Sequence, residues 1–134
     1  MSEYGVGLAL AAAIAAIATA TGMARERSFY STALIVIASY YVLFAVMGGS
    51  TRALALESAV AAAFALAAVL GFKRNMWLVA AAIAAHGVFD FVHHLFISNP
   101  GMPPWWPGFC GSVDVALGGW MGFRLARGQR FTAD

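Results

Sequence analysis

Charge is what this sequence has least of. Asp, Glu, Lys and Arg together make up 10% of its 134 residues, against about 25% in a soluble domain. So few polar groups cannot cover a water-facing surface, which excludes the soluble class and leaves the membrane class. Cysteine is almost as scarce. Cys110 stands alone, which rules out an intramolecular disulfide and the paired-cysteine spacings of zinc modules. No GxGxxG, P-loop or GxSxG motif is present, so the common dinucleotide, nucleotide and serine-hydrolase signatures give no lead. Proline is confined to one loop. Pro100, Pro103, Pro104 and Pro107 all fall within "SNPGMPPWWPGF", making that stretch stiff and non-helical.

Apolar residues fill the rest, at 62% of the chain with a mean hydropathy of +0.79. They fall into five runs, roughly 4–24, 29–48, 53–72, 76–97 and 108–123, each near the length needed to cross a bilayer as a helix. The first run carries Glu3 and no basic residue, and it is longer than the apolar core of a signal peptide, so it reads as a retained span. The connections are short, which predicts an all-α, antiparallel up-and-down bundle forming a single integral membrane domain. The basic residues test that count. With five spans, Arg25, Arg27, Lys73, Arg74, Arg124, Arg127 and Arg130 share one side and only Arg52 lies on the other. The positive-inside rule then sets the N-terminus outside and the C-terminus in the cytoplasm. In this reading the net charge of +2 and pI near 9.0 report topology in a plasma (inner) membrane, and no nucleic-acid partner is expected. Gly118 and Gly122 form a GxxxG, a spacing that serves either packing within the chain or a homo-oligomer.

Against this background the acids and histidines stand out. Glu3, Glu26 and Asp134 belong to tails or loops, whereas Glu57, Asp90 and Asp114 fall inside spans, as do His86, His93 and His94. An ionisable group at a span centre costs about 2.5–3.5 kcal/mol on insertion scales, so these groups are expected to face inward and meet partners. The topology puts Glu57, Asp90, His93 and Asp114 in the same outer half of the bilayer, with Tyr40 and Tyr41 near mid-depth on span two. At about 100° per residue, Asp90 lies about 40° and His93 about 20° from His86 on the helix wheel, so the three form one stripe with His94 at its edge. Cys110 and Asp114, four apart, share a face of span five.

Imidazole and carboxylate are the ligand set of zinc and non-haem iron. His86, Asp90 and His93 are therefore the candidate metal ligands, with zinc or iron as the expected ion. Glu57 and Asp114 are the candidate acid/base groups. With one position left to water, such a site fits a metal-dependent membrane hydrolase. "DFVHH" is similar to the HxxHH box of membrane desaturases, but three histidines are too few for that chemistry. The Asp/His content of the spans resembles that of seven-helix hydrolases of the alkaline ceramidase type, though this chain has five spans and no full motif of theirs. The same groups would also serve a proton- or ion-coupled carrier or a small-ligand-binding membrane protein. A complete path would then need polar groups in the inner half, where Thr19 and Thr21 offer only hydroxyls. A third reading has the carboxyls and imidazoles pairing only to fix helix packing. Trp105 and Trp106 sit where an interfacial aromatic belt is expected. With the prolines around them and Tyr41 below, they are candidates for a lid or substrate contact, suited to a lipid-like molecule arriving from the bilayer.

Overall fold

The computed structural model describes residues 2–132, so Asp134 lies outside the described residues. Five α-helices follow in chain order: α1 Glu3–Thr21, α2 Arg27–Met47, α3 Thr51–Arg74, α4 Met76–Val92 and α5 Trp106–Ala126. Short 3-10 turns follow α1 (Met23–Arg25) and α4 (His93–Leu95), and no strand occurs among the described residues. The first four helices, α4 counted with its 3-10 extension to Leu95, are long and apolar enough to cross a membrane. α5 is equally long, but Asp114, Arg124 and its glycines make it less apolar. It is also among the most enclosed helices, with Gly108, Cys110 to Asp114, Leu117, Gly118 and Met121 all buried.

Local signals fix most of the boundaries. Ser2, Ser50 and Asn75 cap α1, α3 and α4, each side chain accepting from a backbone N–H of the first turn, as short polar residues do at helix starts. α1 stops at Thr21, short of the expected Ala24, because Gly22 turns the chain in the left-handed region at φ +83°. α4 stops at Val92, where the expected span ran on to Ile97, and continues only as the His93–Leu95 turn. α5 is longer than the expected 108–123 at both ends, with Pro107 in its first turn, where a missing N–H costs nothing.

The helices run up and down, but their order in space is α1, α5, α4, α3, α2. α5 is thus wedged between α1 and α4, and glycine makes its fit to α4 close. A Cβ on Gly118 would lie 2.6 Å from the backbone N of Ala84, and one on Gly87 would lie 2.8 Å from the backbone N of Val115. Gly118 of the GxxxG is therefore a packing contact within the chain, while Gly122 has only Trp77 nearby, at 3.7 Å. α1 and α2, neighbours in sequence, are held apart by a groove of about 760 Å³ whose third wall is α5. Outward-facing side chains such as Leu8, Ile17, Leu43, Leu66, Val88 and Phe96 are apolar.

One end of the bundle, here its head, gathers the start of α1, the α2–α3 turn and the α4–α5 loop. The other, its foot, gathers the two remaining turns and the C-terminal segment. At the foot, the Arg27 guanidinium donates to the carbonyl of Phe72, and the Gln129 side chain donates to that of Ala24 at 3.0 Å. The seven basic residues expected to share a side do share this end, and Arg52 lies at the head.

Candidate metal centre

Among the described residues, all the buried carboxyl and imidazole side chains lie in the head half. Glu57 comes from the second turn of α3, His86 and Asp90 from successive turns of α4, His93 from the 3-10 turn, and Asp114 from just over two turns into α5. None is more than 1% exposed, and no lysine or arginine is buried with them among the described residues.

They divide into two groups. In the first, His86 Nδ1 lies 2.8 Å from Asp114 Oδ2 and 3.6 Å from Asp90 Oδ2. One donor atom from each of the three residues lies within 4.8 Å of the others. Asp90 Oδ1 accepts from the Tyr41 hydroxyl at 2.7 Å, and the Cys110 thiol donates to Asp114 Oδ2 at 3.8 Å. Glycine makes this closeness achievable: a Cβ on Gly87 would stand 2.9 Å from Cβ of Asp114.

In the second group, His93 Nε2 lies 2.6 Å from Glu57 Oε1. Asn99 Nδ2 donates to the same oxygen and to the backbone carbonyl of Tyr41, both at 3.0 Å. Tyr41 joins the groups. Its hydroxyl holds Asp90, and its ring stacks on His93 with centroids 4.3 Å apart.

The stripe read from the sequence thus splits. His86 and Asp90 stay together, and Asp114 supplies the third donor of the group able to hold a metal ion. His93 faces Glu57. The cause is local: a helix wheel assumes α geometry through residue 93, but the chain has already tightened into a 3-10 turn, which rotates successive side chains by a different angle. His94 on the same turn is exposed. Tyr41, expected as a substrate or lid contact, is a buried link at 2% exposure. Trp105 is exposed, while Trp106 packs its ring against Tyr40 and Phe44 with centroids 5.1 and 4.9 Å apart. The α4–α5 loop is seated on the end of α2, where a Cβ on Gly101 would meet the carbonyl of Phe44 at 1.9 Å. Sequence reasoning missed Asn99. Its only signal was an amide before Pro100, which reads as an ordinary turn residue.

The first group could hold a cation. Asp90 Oδ2 and Asp114 Oδ1 are buried without a hydrogen-bond partner, a condition that costs about 1–3 kcal/mol for each such group. Across both groups three carboxyls face two imidazoles, so even with both imidazoles protonated and all three carboxyls ionised one negative charge stays uncompensated. A proton or a metal ion makes up the difference. The donor set fits zinc or iron in kind. It fits in size after a small adjustment: donors about 2.1 Å from a tetrahedral ion stand about 3.4 Å apart. The His86–Asp90 spacing is close to that, the His86–Asp114 hydrogen bond would open by roughly 0.6 Å, and the two carboxylates, within 4.8 Å of each other, would close by at most roughly 1.4 Å.

Compared with known protein families, curated proteins and solved structures, the chain matches none.

Proposed function

We propose that this chain is an integral membrane enzyme that holds a zinc or iron ion between α4 and α5 and hydrolyses a lipid-like molecule. The observation that carries the reading is the His86–Asp90–Asp114 group, which brings three buried donors together with two of their oxygens unpartnered. In this reading all five helices cross the plasma membrane, with the N-terminus outside and the foot, rich in arginine and lysine, on the cytoplasmic side. α5 tolerates its polar residues because α1 and α4 cover them.

An ion at this position would supply Lewis acidity, polarising a carbonyl and acidifying water. The chain's own residues do the rest. His86, Asp90 and Asp114 hold the ion, and Tyr41 fixes Asp90 by its hydroxyl. Glu57 fixes the His93 ring through Nε2 and leaves Nδ1 without a partner. An imidazole oriented by a carboxylate, with one nitrogen free, is the arrangement of a general base. In the hydrolysis of an ester, the water oxygen joins the acyl carbon, the bond from that carbon to the alkoxy oxygen breaks, and the alcohol leaves with a proton from the water.

A carrier is less well supported. Towards the foot the buried side chains include Leu34, Ala68, Val79, Ile83, Leu117 and Met121, with the hydroxyls of Tyr30 and Ser31 and no carboxyl or imidazole among them, whereas a proton relay is built from such ionisable groups.

The test is release of fatty acid from long-chain esters and amides by protein purified in mild detergent, followed by mass spectrometry. Release is expected to stop on chelation, to return with added zinc or iron, and to be absent from His86→Asn. No release from any ester or amide by protein carrying a full complement of ion would overturn the hydrolase reading.

A further inference from the structure

The groove between α1 and α2 offers a way to the metal centre from the bilayer. It follows α2 from Ser28 to Tyr40, about 18 Å at 1.5 Å per residue. Its middle is apolar, walled by Leu10, Ile14, Ala33, Val36 and Leu117 among others. Towards the head the wall is made by Trp106, Cys110 and Asp114, so one ligand of the candidate ion is also part of the groove.

The polar atoms at that end say what would sit there. Asp114 is fully buried and its Oδ1 has no hydrogen-bond partner, so it calls for a donor or a cation. The buried Nε1 of Trp106 also lacks a partner and calls for an acceptor. The two residues are eight apart on α5, about 12 Å along its axis, which leaves room for a small head group between them. A hydroxyl-bearing ester supplies both kinds of atom. No lysine or arginine lines the groove, so a phosphate or carboxylate would find no counter-charge there. Size points to a single chain. Taking a methylene or head-group atom to be about the size of a water molecule, roughly 30 Å³, the volume of about 760 Å³ holds roughly 25 of them. That is one long acyl chain with a small head.

From this we infer that the groove binds a neutral single-chain lipid with a hydroxylated head, of the monoacylglycerol class. Its tail runs along α2 towards the foot and its ester lies between Trp106 and Asp114. The inference rests on the proposed hydrolase reading and names its substrate class.

The experiment is a scintillation-proximity titration of purified protein with tritiated monoolein in mild detergent. Saturable binding at one lipid per chain is expected. Ala33→Trp, which fills the groove, should weaken binding at least tenfold, with Val36→Phe as a second plug should Ala33→Trp not fold. Ala63→Trp, on the far side of the bundle, should bind as the parent does. Unlabelled oleate and octadecane should compete at least tenfold less well than unlabelled monoolein. Equal binding by both plugged variants would overturn the site, and equal competition by octadecane would reduce the groove to one filled by ordinary bilayer lipid. Equal competition by oleate would overturn the neutral head group. Metal content, measured on the same samples, should be unchanged by the plugs. Monoolein binding that is groove-dependent in metal-free protein would leave the groove standing and sink the metal reading alone.

Discussion

The Glu57–His93 pair gives the sharpest energetic prediction. Its atoms are 2.6 Å apart, both residues are at most 1% exposed, and they join α3 to the turn that ends α4. Glu57→Leu removes the partner of His93 Nε2 in a residue whose Nδ1 already has none. Asn99 suffers less, because its Nδ2 keeps the carbonyl of Tyr41. Breaking a buried pair from one side costs about 3–5 kcal/mol, and that is the loss expected for Glu57→Leu. His93→Leu should cost a similar amount, including about 0.5–1.5 kcal/mol for the ring stacked on Tyr41. The double variant leaves no orphaned partner except one bond of Asn99, so it should be no worse than either single change. The resulting coupling is about 3 kcal/mol, the upper end for residues in contact. Glu57→Gln keeps an acceptor at Oε1 and should cost only about 1 kcal/mol. Reversible unfolding in mixed micelles, followed by circular dichroism, measures all four. Losses that simply add, with coupling below about 0.5 kcal/mol, would refute the reasoning.

Two further predictions concern the fit of α4 to its neighbours. Gly118→Val puts a Cβ 2.6 Å from the backbone N of Ala84, which cannot yield as a side chain would. A loss of about 1–3 kcal/mol or more is expected in the same unfolding assay, whereas Gly119→Ala, with nothing within 4 Å, should change stability by no more than about 1 kcal/mol. Equal effects at the two sites would contradict the packing described. Tyr41→Phe keeps the ring on His93 but removes the hydroxyl from Asp90, leaving both carboxylate oxygens of Asp90 without a hydrogen bond. A loss of about 1–3 kcal/mol is expected, and one below about 0.5 kcal/mol would show that the hydroxyl does not hold Asp90.

The fold was legible where composition and length decide it. Long apolar runs with short, capped connections left little besides an up-and-down helical bundle, and the clustering of arginine and lysine sorted the loops onto two ends. That Glu57, Asp90 and Asp114 fall in the same half of the bundle was also legible, because position along a helix follows directly from residue number. Two things were not. One was the spatial order of the helices: that α5 lies between α1 and α4 depends on how closely Gly7 lets α1, and Gly87 and Gly118 let α4, approach α5, and a glycine in sequence does not name its partner. The other was the aim of His93, which is set by one change from α to 3-10 geometry after Val92. That change moves His93 to Glu57 and leaves Asp114 as the third member of the group that could hold a metal ion. Asn99 belongs to the same lesson, since its role comes from a loop folded back onto α2.

The ligand set is the central claim, and elemental analysis of detergent-purified protein tests it most directly. The parent chain should carry one zinc or iron ion per molecule. His93→Asn should keep that ion, since His93 faces Glu57, and His86→Asn should lose at least nine-tenths of it. A folded parent protein free of metal, or an ion lost with His93→Asn and kept with His86→Asn, would contradict the account.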